Sequence, residues 1–429
     1  MERSSVFLFK EKRFLPLFMV QFMGAFNDNA YKLAMLTFIS YKISTSVTQS
    51  EFYQVIASIL FIIPFFIFSS LAGQLADKYD KSLITRYVKG FELFLIVIGS
   101  LGFYTNSILV MMLVLTCMGI HSAFFGTIKY SILPEHFSAH ELMQVTGLIE
   151  GSTFIAILMG TTLGSLSIGF NAAIPYAAIG MTLSAALIGF FASYFIPATP
   201  PSKLANFKID PWPWSATLLT VKQVYKIKAL RLILIAISWF WLLGSVLLTK
   251  LPDYCHFVLN ADTSVFALLL ALFSIGIALG SVSVNKILSG QTNLKIVPVA
   301  LLVFSVLIAD IYWISPLQEQ RQILFDSYTF FLVPKHWRVV VDFFMLGFFG
   351  GVFIVPLYTV MQEMSPSAMR ARIVAVNNIY NSLFMILGSG FVMLLLFLHY
   401  SIPKVFFTLG LLNMLVALFL LFAFNKNSG

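Results

Sequence analysis

Apolar stretches of about twenty residues follow one another along almost the whole chain, and no other feature constrains its fold as strongly. An α-helix needs roughly 20 apolar residues to cross a bilayer, where every backbone group must be bonded internally. Measured this way, spans lie near 14–40, 54–72, 87–104, 109–128, 142–166, 173–196, 230–250, 263–284, 294–314, 339–361, 373–398 and 404–425. Composition agrees. Of 429 residues, 59% are hydrophobic and 10% charged, against about 45–50% and about 25% in soluble domains. One aqueous core cannot hold that much apolar surface. We therefore expect an all-α integral membrane protein with twelve transmembrane helices. The N-terminal MERSSVFLFKEKRF runs directly into the first span without a cleavable leader pattern, so that span is expected to stay as an anchor.

The longest polar connection is 197–229, which carries PATPPSK, DPWPW and then Lys222, Lys226 and Lys228. It divides the chain into an N-terminal six-helix half (1–196), a cytoplasmic linker (197–229) and a C-terminal six-helix half (230–429). With the N-terminus inside, the inner segments hold 20 Lys/Arg and the outer ones 6. This positive-inside bias predicts two cytoplasmic termini. The net charge of +9 is then topology charge, and no nucleic acid partner is expected. A shift of 228 residues superimposes Gly119 on Gly347, Tyr130 on Tyr358, Glu135 on Glu363 and Gly160 on Gly388. Glu150 falls on Asn378 and Thr153 on Asn381. Parallel halves of this kind are the major-facilitator arrangement.

Other chemistries leave no mark. Cys117 and Cys255 have no disulfide or metal spacing. His121, His136, His140, His256, His336 and His399 form no HExxH or HxxxxD pattern, and most fall in predicted loops. A nucleophile–base–orienter set is not visible. We expect no enzyme, no metal and no cofactor.

The first span holds the sharpest polar signal, QFMGAFNDNAYKLA. Gln21, Asp28 and Lys32 lie within about 40° of one helical face, flanked by Asn27 and Asn29. An ionisable group inside a membrane is costly and should face the bundle interior or a wet cavity. Asp28 and Lys32 are also spaced to pair with each other. Further polar groups fall at Lys129 after span four, Glu150 and Thr153 in span five, and Asn377, Asn378 and Asn381 in span eleven. These spans line the cavity in a major-facilitator fold, whereas the third and ninth face lipid. The loop Gly73-Gln-Leu-Ala-Asp77-Lys78-Tyr-Asp80-Lys81 resembles the major-facilitator loop signature. Asp77 is placed to cap a helix N-terminus, where the dipole favours a carboxylate. Asn285-Lys286 is its reduced counterpart in the second half. With Glu363, Arg370 and Arg372, the residues Gly73, Asp77, Lys78 and Lys81 form the expected gating set. Gly147/Gly151, Gly160/Gly164 and Gly276/Gly280 repeat at four residues and suit close helix packing.

These motifs together resemble the bacterial lysophospholipid transporter family. The marks are QFMGAFNDNA (21–30), FGTIKYSILPE (125–135), GLIEGSTFIAILMG (147–160), SWFWLLGSVLLTKLP (238–252), GGVFIVPLYTVMQE (350–363) and RARIVAVNNIYNSLFM (370–385). The fourth and last are most similar to the transporter module of fusions with an acyltransferase and acyl-carrier-protein ligase. Some family members place an arginine in span seven where Leu248 stands here, with Lys250 two residues on. The resemblance implies movement of lysophospholipid from the outer to the inner leaflet of the bacterial cytoplasmic membrane. A cytoplasmic-side acyltransferase, separate or fused, would then restore the second chain. It also implies that Asp28, Lys129, Glu150 and the span-eleven amides meet the head group or gate it. The main alternative is a small-solute or drug transporter of the same fold.

Overall fold

The computed structural model describes residues 5–168, 174–199, 208–315 and 324–426. The linker residues 200–207, Arg321 and residues 427–429 lie outside the described residues. Twelve long helices run through the described residues: α1 (Leu15–Phe38), α2 (Val47–Lys78), α3 (Lys81–Tyr104), α4 (Ile108–Ser131), α5 (Ala139–Leu166), α6 (Tyr176–Ser193), α7 (Lys228–Asp253), α8 (Thr263–Ile287), α9 (Ile296–Ile314), α10 (His336–Met364), α11 (Arg370–Phe397) and α12 (Ile402–Lys426). A shorter helix, Pro213–Tyr225, lies in the linker.

Eleven of the twelve are long and apolar enough to cross a membrane. The exception is α1, whose 24 residues suffice in length. Its run of Asn27, Asp28, Asn29 and Lys32 lowers its hydropathy. The same polar run that marks it chemically thus disguises it as a span.

Several helices begin further out than their apolar cores, because polar caps start them. Asp80 accepts from the Ser82 and Leu83 amides and starts α3 at Lys81. Ser107 caps α4, Ser46 caps α2 and Asp262 caps α8. Each cap satisfies amides that a helix start leaves without partners. Burial pushes the Asp80 carboxyl up, but hydrogen bonds from Ser82 and Thr199 outweigh it and hold the group below the usual carboxylate range. Pro64 and Pro356 sit inside α2 and α10. Neighbouring helices make such interior prolines tolerable in membrane bundles.

The chain packs as two compact units. One comprises Met1–Ala139, Ala156–Arg231 and Gln362–Ser382, the other His140–Ile155, Leu232–Met361 and Leu383–Gly429. Helices α5 and α11 are therefore each divided between units.

Small residues set the helix spacing in both. In the first unit a Cβ on Gly164 would lie 2.5 Å from the Ala30 carbonyl oxygen, and Gly160 abuts the Phe26 carbonyl. Helix α5 thus rests directly on the α1 backbone. In the second unit Gly276 and Gly280 of α8 abut Phe344 and Phe348 of α10, while Gly347 and Gly351 return the contact against Phe273 and Ile277. Gly147 and Gly151 press against Ser281 and Ala278. Backbone proximity of this kind supplies the dispersion contact that lipid-embedded helices rely on.

Candidate functional site

The first unit contains a buried polar array built from three helices. Asn27 and Asp28 come from α1, Lys89 and Glu92 from α3, and His121 and Ser122 from α4. Lys89 Nζ lies 2.6 Å from Glu92 Oε2, with both side chains sealed from solvent. Asn27 Nδ2 donates to the other carboxylate oxygen at 2.8 Å. His121 stands between two carboxylates, with Nε2 3.2 Å from Glu92 and Nδ1 3.8 Å from Asp28. Ser122 Oγ donates to Asp28 Oδ2 at 2.5 Å. Asp28 keeps some exposure, 15% of its side chain, and its partner Ser122 keeps some too.

One sequence expectation is corrected here, and one possibility the sequence left open is not realised. Asp28 and Lys32, four residues apart, form no ion pair. Lys32 Nζ sits 5.5 Å from the centre of the Phe61 ring, a cation–π contact with α2. Asp28 instead finds a donor on α4, the Ser122 hydroxyl. The third span is also not merely lipid-facing. Its buried face includes Lys81, Thr85, Lys89 and Glu92. Lys89, Glu92 and His121 are the residues that sequence reasoning missed. Two opposite charges three apart inside a predicted span were the available signal. So was a histidine at mid-span rather than in a loop.

The rest of the α1 set divides. Gln21 is buried. Asn29 Nδ2 bonds back to the Ala25 carbonyl at 2.8 Å and is satisfied within its own helix.

A second polar constellation joins α2 to the start of α11. Asp77 accepts from the Ala371 amide at 2.8 Å, the Arg372 amide at 3.2 Å and Arg372 Nε at 3.0 Å. A carboxylate here satisfies orphan amides and opposes the positive end of the helix dipole. Gly73 makes room for it, since a Cβ there would lie 2.8 Å from Arg372 Cα. Lys81 turns to Glu135, at 2.5 Å, and not to Asp77. Arg370 Nε is buried without a hydrogen bond. Lys78 is half-buried and Glu363 exposed.

On α11, Asn378 Nδ2 reaches Thr127 Oγ1 at 3.4 Å. Asn377 is fully buried, and neither of its side-chain polar atoms is bonded. Asn381 is buried, as is Lys129, whose Nζ lies over the Tyr130 ring. Glu150 and Thr153 belong to the second unit. Glu150 is buried, and the Thr153 hydroxyl bonds to Ile149 O of its own helix at 2.7 Å. Near them Trp241 stacks on Phe154 and donates to Tyr358 Oη at 3.0 Å. Asp310 is paired with Arg338. No cluster of metal-ligating side chains occurs among the described residues.

Comparison with known proteins gives a consistent picture. The profile of the Major Facilitator Superfamily matches residues 17–334. The lysophospholipid transporter LplT of Serratia proteamaculans is 27% identical over 372 residues, covering 86% of this chain and 85% of that protein. LplT of Klebsiella pneumoniae is 25% identical over 382 residues, covering 88% and 87%. Among solved structures, the human organic anion transporter MFSD10 shares the fold with a TM-score of 0.72 at 14% identity, covering 95% of this chain and 99% of that one.

Proposed function

The chain belongs to the major facilitator superfamily, and from that premise we propose that it carries lysophospholipid across a bacterial cytoplasmic membrane. The observation that carries this reading is Asp28. It is a partly exposed carboxylate in the middle of an apolar bundle, in a stretch that looks like the same stretch of the lysophospholipid transporter family. Sequence similarity to proteins named LplT along more than four-fifths of the chain supports the same cargo.

Asp28 would bind the cationic part of a zwitterionic head group, as of lysophosphatidylethanolamine. Gln21, Asn27, Asn29, Lys32, Lys129, Glu150, Thr153, Asn377, Asn378 and Asn381 are the further candidates for lining its path. The single acyl chain sets a second demand. A C16 chain carries roughly 12 kcal/mol of membrane attachment at about 0.8 kcal/mol per CH₂. Drawing it into a wet cavity would forfeit much of that. The chain therefore stays in lipid or an apolar groove while the head group crosses, which requires lateral entry between helices.

The Asp77–Arg372 clamp, with Gly73, Lys78, Lys81, Glu363 and Arg370 around it, would act as the inner gate. Its geometry suits this, because the buried Asp77 carboxylate holds the start of α11 through several bonds that opening would have to break together. Transport would run from the outer to the inner leaflet, with both termini cytoplasmic, and deliver lysophospholipid to an acyltransferase on that side. The two six-helix halves divided at 197–229 would supply the alternating access.

The test is flipping in proteoliposomes. Outer-leaflet lysophosphatidylethanolamine carrying a head-group fluorophore quenchable from outside should become protected at a rate well above that in protein-free vesicles. Absence of protection, with uptake of a soluble solute instead, would overturn the reading in favour of a small-solute transporter.

A further inference from the structure

Lys89, Glu92 and His121 have no role in head-group binding as described above, yet they are the most deeply buried ionisable cluster in the first unit. Lys89 and Glu92 are fully buried, and His121 is 2% exposed. Burying so many ionisable groups is costly, so such a cluster is a functional candidate in its own right.

The charges can be counted. Lys89 and Glu92 neutralise each other at 2.6 Å, and Asn27 occupies the second Glu92 oxygen. His121 then lies between this neutralised carboxylate and Asp28. His121 Nδ1, His121 Nε2 and Asp28 Oδ1 all lack a hydrogen-bond partner, although Nδ1 faces Oδ1 at 3.8 Å and Nε2 lies 3.2 Å from Glu92. A neutral imidazole offers one N–H and one lone pair, so against two carboxylates its lone pair must meet an anion. An imidazolium donates on both sides. One proton would join Nδ1 and Oδ1 once the two atoms close from 3.8 Å to hydrogen-bond distance.

Surrounding elements add little competing charge. The exception is Lys32 on α1, a cation that feels the Asp28 charge although its Nζ rests over the Phe61 ring and forms no ion pair with Asp28. Ser122 on α4 donates to the far oxygen of Asp28. Helix α2 has no charged residue between Glu51 and Asp77, and α6 and residues 156–166 of α5 have none.

We propose that Asp28 and His121 form a proton site that exchanges its proton for the ammonium of a zwitterionic lysophospholipid. The proposal rests on the head-group reading of Asp28. Without lipid, imidazolium and carboxylate balance each other. When an ammonium reaches Asp28 it takes over that balance, and the His121 proton departs. Counted together with the ammonium, the buried array carries no net charge in either state, which a low-dielectric interior demands; the lipid phosphate therefore stays outside the array. Substrate and proton then move in opposite senses. By linkage, affinity for an amine-bearing lysophospholipid falls about tenfold for each pH unit below the pKa of the site.

The experiment uses the full chain in phosphatidylcholine nanodiscs in weakly buffered solution with a pH indicator. Over a series of starting pH values from about 5 to about 8, saturating lysophosphatidylethanolamine should release a maximum of about one proton per bound lipid, at the acid end of the series. Lysophosphatidylglycerol, which has no amine, should release none, and the His121→Gln variant should release none with either lipid. Binding of lysophosphatidylethanolamine without proton release, or equal release by both lipids, overturns the proposal. If lysophosphatidylethanolamine does not bind at all, the head-group reading fails, and the proton site is decided by ¹⁵N-histidine NMR. A His121 signal that titrates, and moves in Asp28→Asn, supports it. A signal that does not titrate, or is unmoved by Asp28→Asn, overturns it.

Discussion

The two units each bury a polar knot between helices, and the two knots are built differently. In the second unit, Asn413 donates to Leu301 O at 3.0 Å and Ser305 Oγ at 2.9 Å, and accepts from Trp239 Nε1 at 2.8 Å. The amide uses both of its donors and its acceptor, and every group is neutral. The knot in the first unit is ionic and open. Lys89, Glu92, His121 and Asp28 are in close reach, yet Asp28 Oδ1 and His121 Nδ1 remain unbonded. A closed neutral knot fixes helices in register. An open charged one is expensive unless something else completes it. The contrast separates a structural device from a working one within the same fold.

The sharpest way to break the comparison is to strip charge from one knot. Glu92→Gln leaves Lys89 buried without its counter-ion and should cost about 3–5 kcal/mol, read as a large fall in detergent melting temperature. The double variant Lys89→Met/Glu92→Leu should recover most of that loss, because removing both charges together also removes the desolvation penalty.

Smaller is Asp77→Ala, which removes three bonds at the start of α11. About 1.5–3 kcal/mol is expected for bonds to a charged group, with faster loss of α11 amide protection in hydrogen exchange. Asn413→Leu should cost about 1–3 kcal/mol through the Trp239 indole N–H it strands. Transport per folded molecule should be unchanged, since that knot serves only packing.

The smallest effect is Asp80→Ala, about 1 kcal/mol for a lost N-cap. Its pH dependence has a definite sign. The folded state holds this carboxyl below its ordinary value, so its contribution is full above about pH 4 and is lost on further acidification. Wild-type and variant melting temperatures should therefore converge at low pH.

Much of this was legible in the sequence. Eleven spans announce themselves by length and hydropathy, and the four-residue glycine repeats mark where helix backbones meet. Asp77 at a helix N-terminus followed from the loop pattern and the helix dipole. What escaped was pairing across helices. Periodicity ranks the faces of one helix but does not say which face meets which. Spacing alone left Asp28 and Lys32 as possible partners, when α4 held the donor for one and α2 the aromatic face for the other. Lys89 and Glu92 were hidden by the assumption that the third span faces lipid. The ion pair that neutralises them lets a mid-membrane position carry two charges.

Head-group recognition at Asp28 is read from binding of head-group-labelled lysophosphatidylethanolamine to wild type, Asp28→Asn and Asn413→Leu in nanodiscs. Asp28→Asn should weaken binding by roughly 10-fold or more, the equivalent of a lost bond to a charged group, while Asn413→Leu should stay close to wild type. Equal affinities in wild type and Asp28→Asn would contradict that recognition.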